Sequence, residues 1–214
     1  MKLKALILDL DGTIIESDLD YRTIRRVAQE YFRRKLNLKQ DGLPSTGETL
    51  LKVKNRLEKR YITIFRELSE EIKKIELKHS SNARARPGAI QLLNKARKDG
   101  LKIVIFTNTA LEAALKSLQN SGIIDMIDSI YTRESFNTMK PDPEFLGGVL
   151  KKENLNKDEV VVIGDSTIDM KSAVNCGIKA IGVLGTMSKE KLLEAGASMV
   201  AKDLYELEKI LEDI

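Results

Sequence analysis

Short apolar runs recur along this chain, each bounded by Gly, Asp or Asn. They are "LKALILDL", "LKIVIFTN", "DSIYT", "EVVVIGD", "IKAIGVL" and, more weakly, "ASMVA". Runs of Val, Ile and Leu without a polar face read as strands buried on both sides. Between them stand "PGAIQLLNKARKDG", "LEAALKSLQNSG", "PDPEFLGGVLKKEN", "IDMKSAVNCG" and "KEKLLEAG", which carry helical spacing. Many of these close on Gly, the residue that most often follows a helix C-terminus. A strand that returns parallel to its predecessor needs a crossover, usually a helix. The alternation therefore predicts an α/β fold in which a parallel sheet is covered by helices on both faces.

One stretch breaks the rhythm. Residues 16–84 hold no convincing strand, while Tyr21, Ile24, Val27, Ala28, Tyr31 and Phe32 share one helical face. Tyr61, Phe65, Leu68, Ile72 and Ile75 share another, and "GLPSTGETL" reads as a loop entering a shorter helix over residues 48–59. The chain thus divides into a core of residues 1–15 and 85–214 and an all-helical insertion of residues 16–84. Such an insertion leaves from the carboxyl end of the first strand, the edge at which open α/β sheets bind ligands. Pro87 and Gly88 mark a stiff return to the core.

With 214 residues, 42% hydrophobic and 32% charged, the chain has the composition of a globular protein, not a disordered one. Its net charge of +4 comes from interleaved signs, so it carries no nucleic-acid footprint. The lone Cys176 has no intramolecular disulfide partner and reads as a small buried residue near a helix end. No apolar run reaches membrane-spanning length, and none before Asp9 is long enough for a signal peptide. The expectation is a cytoplasmic protein with no nucleic-acid or membrane partner, a monomer or homodimer.

The chemistry gathers at strand ends. Asp9 and Asp11 follow the first run, and strand alternation sends both to one side with Leu10 to the other, while Gly12 lets the chain turn. Two carboxylates about 4 Å apart repel by roughly 4 kcal/mol at an effective dielectric near 20. A proton or a cation must offset that, and Mg2+ is the hard cation that pairs with oxygen ligands and a phosphate. Thr107 and Asn108 end another strand, Asp165 ends a third, and Asp169 follows four residues later. Lys140 precedes "PDPEF", where Asp142 suits an N-cap and Pro143 a first helical position. All of these belong on one rim of the sheet, and together they can hold a cation and a phosphoryl group.

The motifs "DLDGT", "TN", the Lys of "MKPDPE" and "GDSTID" occur in the order found in the haloacid dehalogenase superfamily of phosphohydrolases, which this chain resembles over its whole length. The resemblance implies a Rossmann-like core with a mobile helical lid. It also implies Asp9 as nucleophile forming an aspartyl-phosphate, and Asp11 as general acid and then base. Thr107, Asn108 and Lys140 would bind the phosphoryl oxygens. Asp9, Asp165 and the backbone carbonyl of Asp11 would hold Mg2+, with Asp169 nearby or acting through water.

Alone, "DxDGT" is a strand and an acidic turn, Thr107 a strand residue, Lys140 a solvated lysine and Asp169 a first-turn acid. Their meaning comes from the set. Arg22, Arg25, Arg26, Arg33 and Arg34 crowd the first inserted helix. They form either a solvated face or, at Arg22, Arg25 or Arg26, a grip on an anionic group beyond the phosphate. Ser45, Thr46 and Gly47 stand where related caps place a specificity loop, and His79, the sole histidine, reads as a surface residue. The leading expectation is an Mg2+-dependent phosphatase of a small phosphorylated metabolite, phosphoglycolate-like or a sugar phosphate. A phosphosugar mutase and a catalytically idle binding protein are the alternatives. Asp11 argues against dehalogenation, because related dehalogenases lack this second acid.

Overall fold

Each of the apolar runs becomes a strand of one parallel sheet. The computed structural model describes residues 2–38 and 44–213, so the opening of "GLPSTGETL" lies outside the described residues. In chain order, β1 (Ala5–Leu8) and β2 (Ile15–Glu16) precede α1 (Tyr21–Leu36), α2 (Thr46–Arg56) and α3 (Glu58–Ser80). The chain returns through β3 (Arg84–Ala85), α4 (Ala89–Lys98), β4 (Lys102–Thr107), α5 (Leu111–Asn120) and β5 (Ser129–Thr132). It ends with α6 (Pro143–Glu153), β6 (Val160–Gly164), α7 (Thr167–Cys176), β7 (Ala180–Val183), α8 (Lys189–Glu194), β8 (Met199–Ala201) and α9 (Leu204–Glu212).

The main sheet runs β5-β4-β1-β6-β7-β8 with every pairing parallel. From β1 the chain builds outward first to one side and then to the other. The crevice beyond the carboxyl end of β1 is therefore the topological switch point, where such sheets take ligands. Leu6 and Leu8 point to one face, where they pack with Leu92 and Leu93 of α4, Leu118 of α5 and Leu207 of α9. Ala5 and Ile7 point to the other, with Phe145 of α6, Met170 of α7 and Leu192 of α8. Full burial on both faces is the physical reason that these strands are continuously apolar in sequence.

The helical insertion has its own core of Tyr31, Phe32, Leu50, Phe65, Leu68 and Ile72, joined by Met139 from the core loop beside Lys140. Asp20 caps α1 by accepting from the backbone N–H groups of Arg22 and Thr23. Ser45 and Glu48 form a reciprocal capping box that starts α2 two residues before the expected position. Both ends of the insertion pass through a two-stranded antiparallel ribbon, Ile15 opposite Ala85 and Glu16 opposite Arg84. The ribbon and the C-terminal helix α9 are additions to the sequence-based picture. Among the described residues no helix is long and apolar enough to cross a membrane.

Candidate active site

The carboxyl ends of β1, β4 and β6, the loop before α6 and the first turn of α7 deliver the polar residues named above to one cavity of about 320 Å³, roofed by α1, α2 and α3. Asp9 follows β1 and is anchored by its own N–H donating to Ile163 O at 2.9 Å. Gly12 then turns the chain with φ of 86°. A side chain there would collide with the Asp165 carboxylate, so glycine serves both the left-handed backbone and the close approach. Arg86, on the return from the insertion, fixes this turn by donating to Gly12 O at 2.6 Å and also to Leu184 O.

Lys140 lies at the centre of the charges. Its buried Nζ donates to Asp9 Oδ1 and to Asp169 Oδ1, each at 2.5 Å. Its backbone is clamped by Asn108, whose Oδ1 accepts from Lys140 N at 2.7 Å and whose Nδ2 donates to Lys140 O at 3.2 Å. Asn108, expected to bind phosphoryl oxygen, thus commits both ends of its amide to placing Lys140. Thr107 Oγ1 accepts from Thr109 N at 3.1 Å, which tightens the turn after β4.

The two acids of the first motif keep different company. Asp9 Oδ2 accepts from Thr13 Oγ1 at 3.2 Å. Asp11 is held by Ser17 Oγ on one carboxylate oxygen and Thr109 Oγ1 on the other, each at 2.8 Å. Carboxylate oxygens of Asp9, Asp165 and Asp169 lie within 4.8 Å of one another, and the Asp11 carboxylate is not among them. The Asp11 backbone carbonyl has the Tyr21 hydroxyl at 3.5 Å. Asp165 accepts from Thr186 N at 3.0 Å and from its hydroxyl. Asp169 also forms the capping box of α7 with Ser166, so the helix start fixes its carboxylate.

Burial dominates the electrostatics. It pushes the Asp9 carboxyl well above the usual range; Lys140 opposes the shift, and Asp169 and Asp165 add to it. Burial also raises Asp11, against the hydroxyls of Ser17 and Thr109, and raises Asp165, with Asp169 adding to the effect. Burial alone would lower Lys140, but Asp169 and Asp9 outweigh it and the ammonium is held charged. Three buried carboxylates around one ammonium leave an excess of negative charge. All the donors are hard oxygens, so the set fits a divalent cation such as Mg2+.

Of the arginines on α1 considered for substrate contact, Arg25 lines the cavity and Arg22 and Arg26 do not. Thr46 and Gly47 of α2 line it as well, and His79 does not. Cys176 ends α7, half-buried. Sequence reasoning missed Ser17, Thr109 and Thr186. Thr109 had a faint signal, standing two residues after Thr107 in "TNT", whereas the loop placing Thr186 offers none. Glu76 and Arg133 were missed too; both line the cavity as a buried ion pair, 2.6 Å between Oε1 and Nη1.

A crevice lined by buried carboxylates and one lysine at the switch point of a parallel sheet, covered by a helical cap, is the architecture of a class of hydrolases. The family model for haloacid dehalogenase-like hydrolases matches residues 6–183, and the chain belongs to that family. Among curated proteins it is similar to the phosphorylated carbohydrates phosphatase of Thermotoga maritima, at 29% identity over 99% of this chain and 100% of that one. It is also similar to the pyrophosphatase PpaX of Bacillus mycoides, at 25% identity over 91% of this chain and 90% of that one. Among solved structures, a hydrolase from Pseudomonas syringae superposes with a TM-score of 0.67 at 25% identity, covering 99% of both chains.

Proposed function

We propose that the protein is a phosphatase of small phosphorylated metabolites that works through an aspartyl-phosphate on Asp9. The observation that carries this reading is the Lys140 ammonium, 2.5 Å from Asp9 at the end of β1, inside a roofed cavity. In the first step an Asp9 carboxylate oxygen bonds to phosphorus as the ester P–O bond breaks. Asp11 gives its proton to the departing oxygen. In the second step Asp11 takes a proton from water as that water attacks phosphorus, which frees phosphate and restores Asp9. Ser17 and Thr109 orient Asp11 for both transfers.

Lys140 and Thr107 neutralise the phosphoryl oxygens as charge redistributes. Asp9, Asp165 and Asp169 would hold Mg2+, with the Asp11 carbonyl as a further oxygen. The ion supplies charge neutralisation between an anionic nucleophile and an anionic ester. Residues 16–84 act as the cap, excluding bulk water and limiting substrate size. The similar Thermotoga maritima protein supports phosphorylated carbohydrates as the first compounds to try.

The test is a panel of phosphate esters with Mg2+, following free phosphate and, for sugar monophosphates, isomer formation. Release of phosphate is expected, and Asp9→Asn should lose it while melting as wild type does. Isomer formation without net phosphate would favour the mutase. Full activity in Asp9→Asn would end the aspartyl-phosphate reading.

A further inference from the structure

The buried pair Glu76–Arg133 is unusual in what it joins. Glu76 belongs to α3 of the insertion, and Arg133 follows β5 of the core. Arg133 is wholly buried, and its guanidinium reaches three acceptors on two segments. Nη1 donates to Glu76 Oε1 at 2.6 Å and to Asn108 O at 2.5 Å, and Nη2 donates to Ser69 O at 2.9 Å. The other Glu76 oxygen, Oε2, accepts from Ala110 N at 3.1 Å. Ala110 is the N-cap of α5 and has no side-chain acceptor of its own, so the insertion caps a core helix.

The residues held in this way run from Asn108 to Ala110, directly after Thr107. Asn108 receives Arg133 on its backbone carbonyl and grips the Lys140 backbone with its side chain. Lys140 in turn meets Asp9 and Asp169. We infer that Glu76 and Arg133 are positioning residues: through Asn108 they set where the Lys140 ammonium stands, so a docked α3 is part of the assembled site. Arginine suits the position because its two Nη atoms, set apart on a rigid plane, reach the carboxylate and two carbonyls on separate segments, a span that a point-like ammonium does not have, while Nε finds no partner among the described residues.

The kinetic half of this inference rests on the phosphatase reading, and the structural half does not. The alternative is that the pair only fastens the insertion to the core. The double variant Glu76→Gln/Arg133→Met separates the two. It leaves no orphaned buried charge, and the glutamine oxygen can still accept from Ala110 N. Amide hydrogen exchange on the full-length protein reads the Lys140 N–H, which is bonded to Asn108 Oδ1. Exchange there should quicken at least about tenfold while the buried amides of α5 hold their protection. On p-nitrophenyl phosphate with Mg2+, kcat should fall by about tenfold to a hundredfold with KM within about threefold, the pattern of a displaced catalytic group.

Arg133→Lys keeps the charge beside Glu76 without the fork. It should give the same loosening at Lys140, and it carries the test if the double variant does not fold. An unchanged Lys140 amide in a folded variant overturns the relay, whatever the activity. If wild type hydrolyses no phosphate ester yet the exchange result is obtained, the phosphatase reading falls and the positioning inference stands.

Discussion

Thr109→Val removes the hydroxyl holding one oxygen of Asp11 and changes little in side-chain shape. A positioned acid contributes roughly a hundredfold to ten-thousandfold, so kcat is expected to fall by at least about tenfold with little change in stability. Steady-state kinetics beside a thermal melt would check both. Gly12→Ala tests the turn itself. The φ of 86° and the collision with Asp165 both oppose a side chain, and a strained position of this kind costs about 1–3 kcal/mol. Urea unfolding should record that loss. At this scale what could be read was placement: residues at strand ends, and the lysine of the loop before α6, were expected on one rim. Asp9, Asp11, Thr107, Asp165 and Lys140 all line the cavity. What could not be read was which acid would face which partner. Ser17 and Thr109 claim Asp11, and those contacts depend on how two loops fold back, which no spacing records.

The elements were legible in proportion to how fully they are buried. Strands with both faces covered leave continuous apolar runs, and β1, β4 and β6 were plain for that reason. β2 and β3, two residues each, are too short for any period and form only because the chain returns beside itself. α9 was legible in principle, since Leu204, Leu207 and Leu211 stand at i, i+3 and i+7. It follows the weakest strand signal, so no strand–helix rhythm led into it. Its contribution can be measured: Leu207 is fully buried against the α4 side of the sheet. Leu207→Ala is expected to cost about 2–5 kcal/mol in urea unfolding while leaving KM unchanged, because no residue of α9 lines the cavity.

For the molecule as a whole, the contact that closes the roof is Gly47. A Cβ there would press into the carbonyl oxygen of Lys140, and only glycine lets the start of α2 settle against the loop that carries Lys140. Lys54 of α2 reinforces this closure by pairing with Asp142 at 2.7 Å and Glu144 at 2.5 Å, and Lys171 of α7 pairs with Glu48 at 2.5 Å. Gly47→Ala should therefore lower kcat/KM for small esters by roughly tenfold to a hundredfold, since small misplacements at a closed site carry large rate effects. Urea unfolding should register a loss as well, because the blocking atom is backbone and cannot swing aside, and unchanged stability together with unchanged kcat/KM would count against this account of Gly47. The ribbon of β2 and β3 has a consequence of a different kind. Because the two ends of the insertion lie side by side, the sheet has no means of sensing how much chain is stitched between them. A short type I′ turn joining Glu16 to Arg84 would close an ordinary hairpin. For the fold of the sheet the cap is in this sense an exchangeable module, but a replacement would have to bring its own acceptors for Arg133 and for Ala110 N to leave the site beneath it assembled.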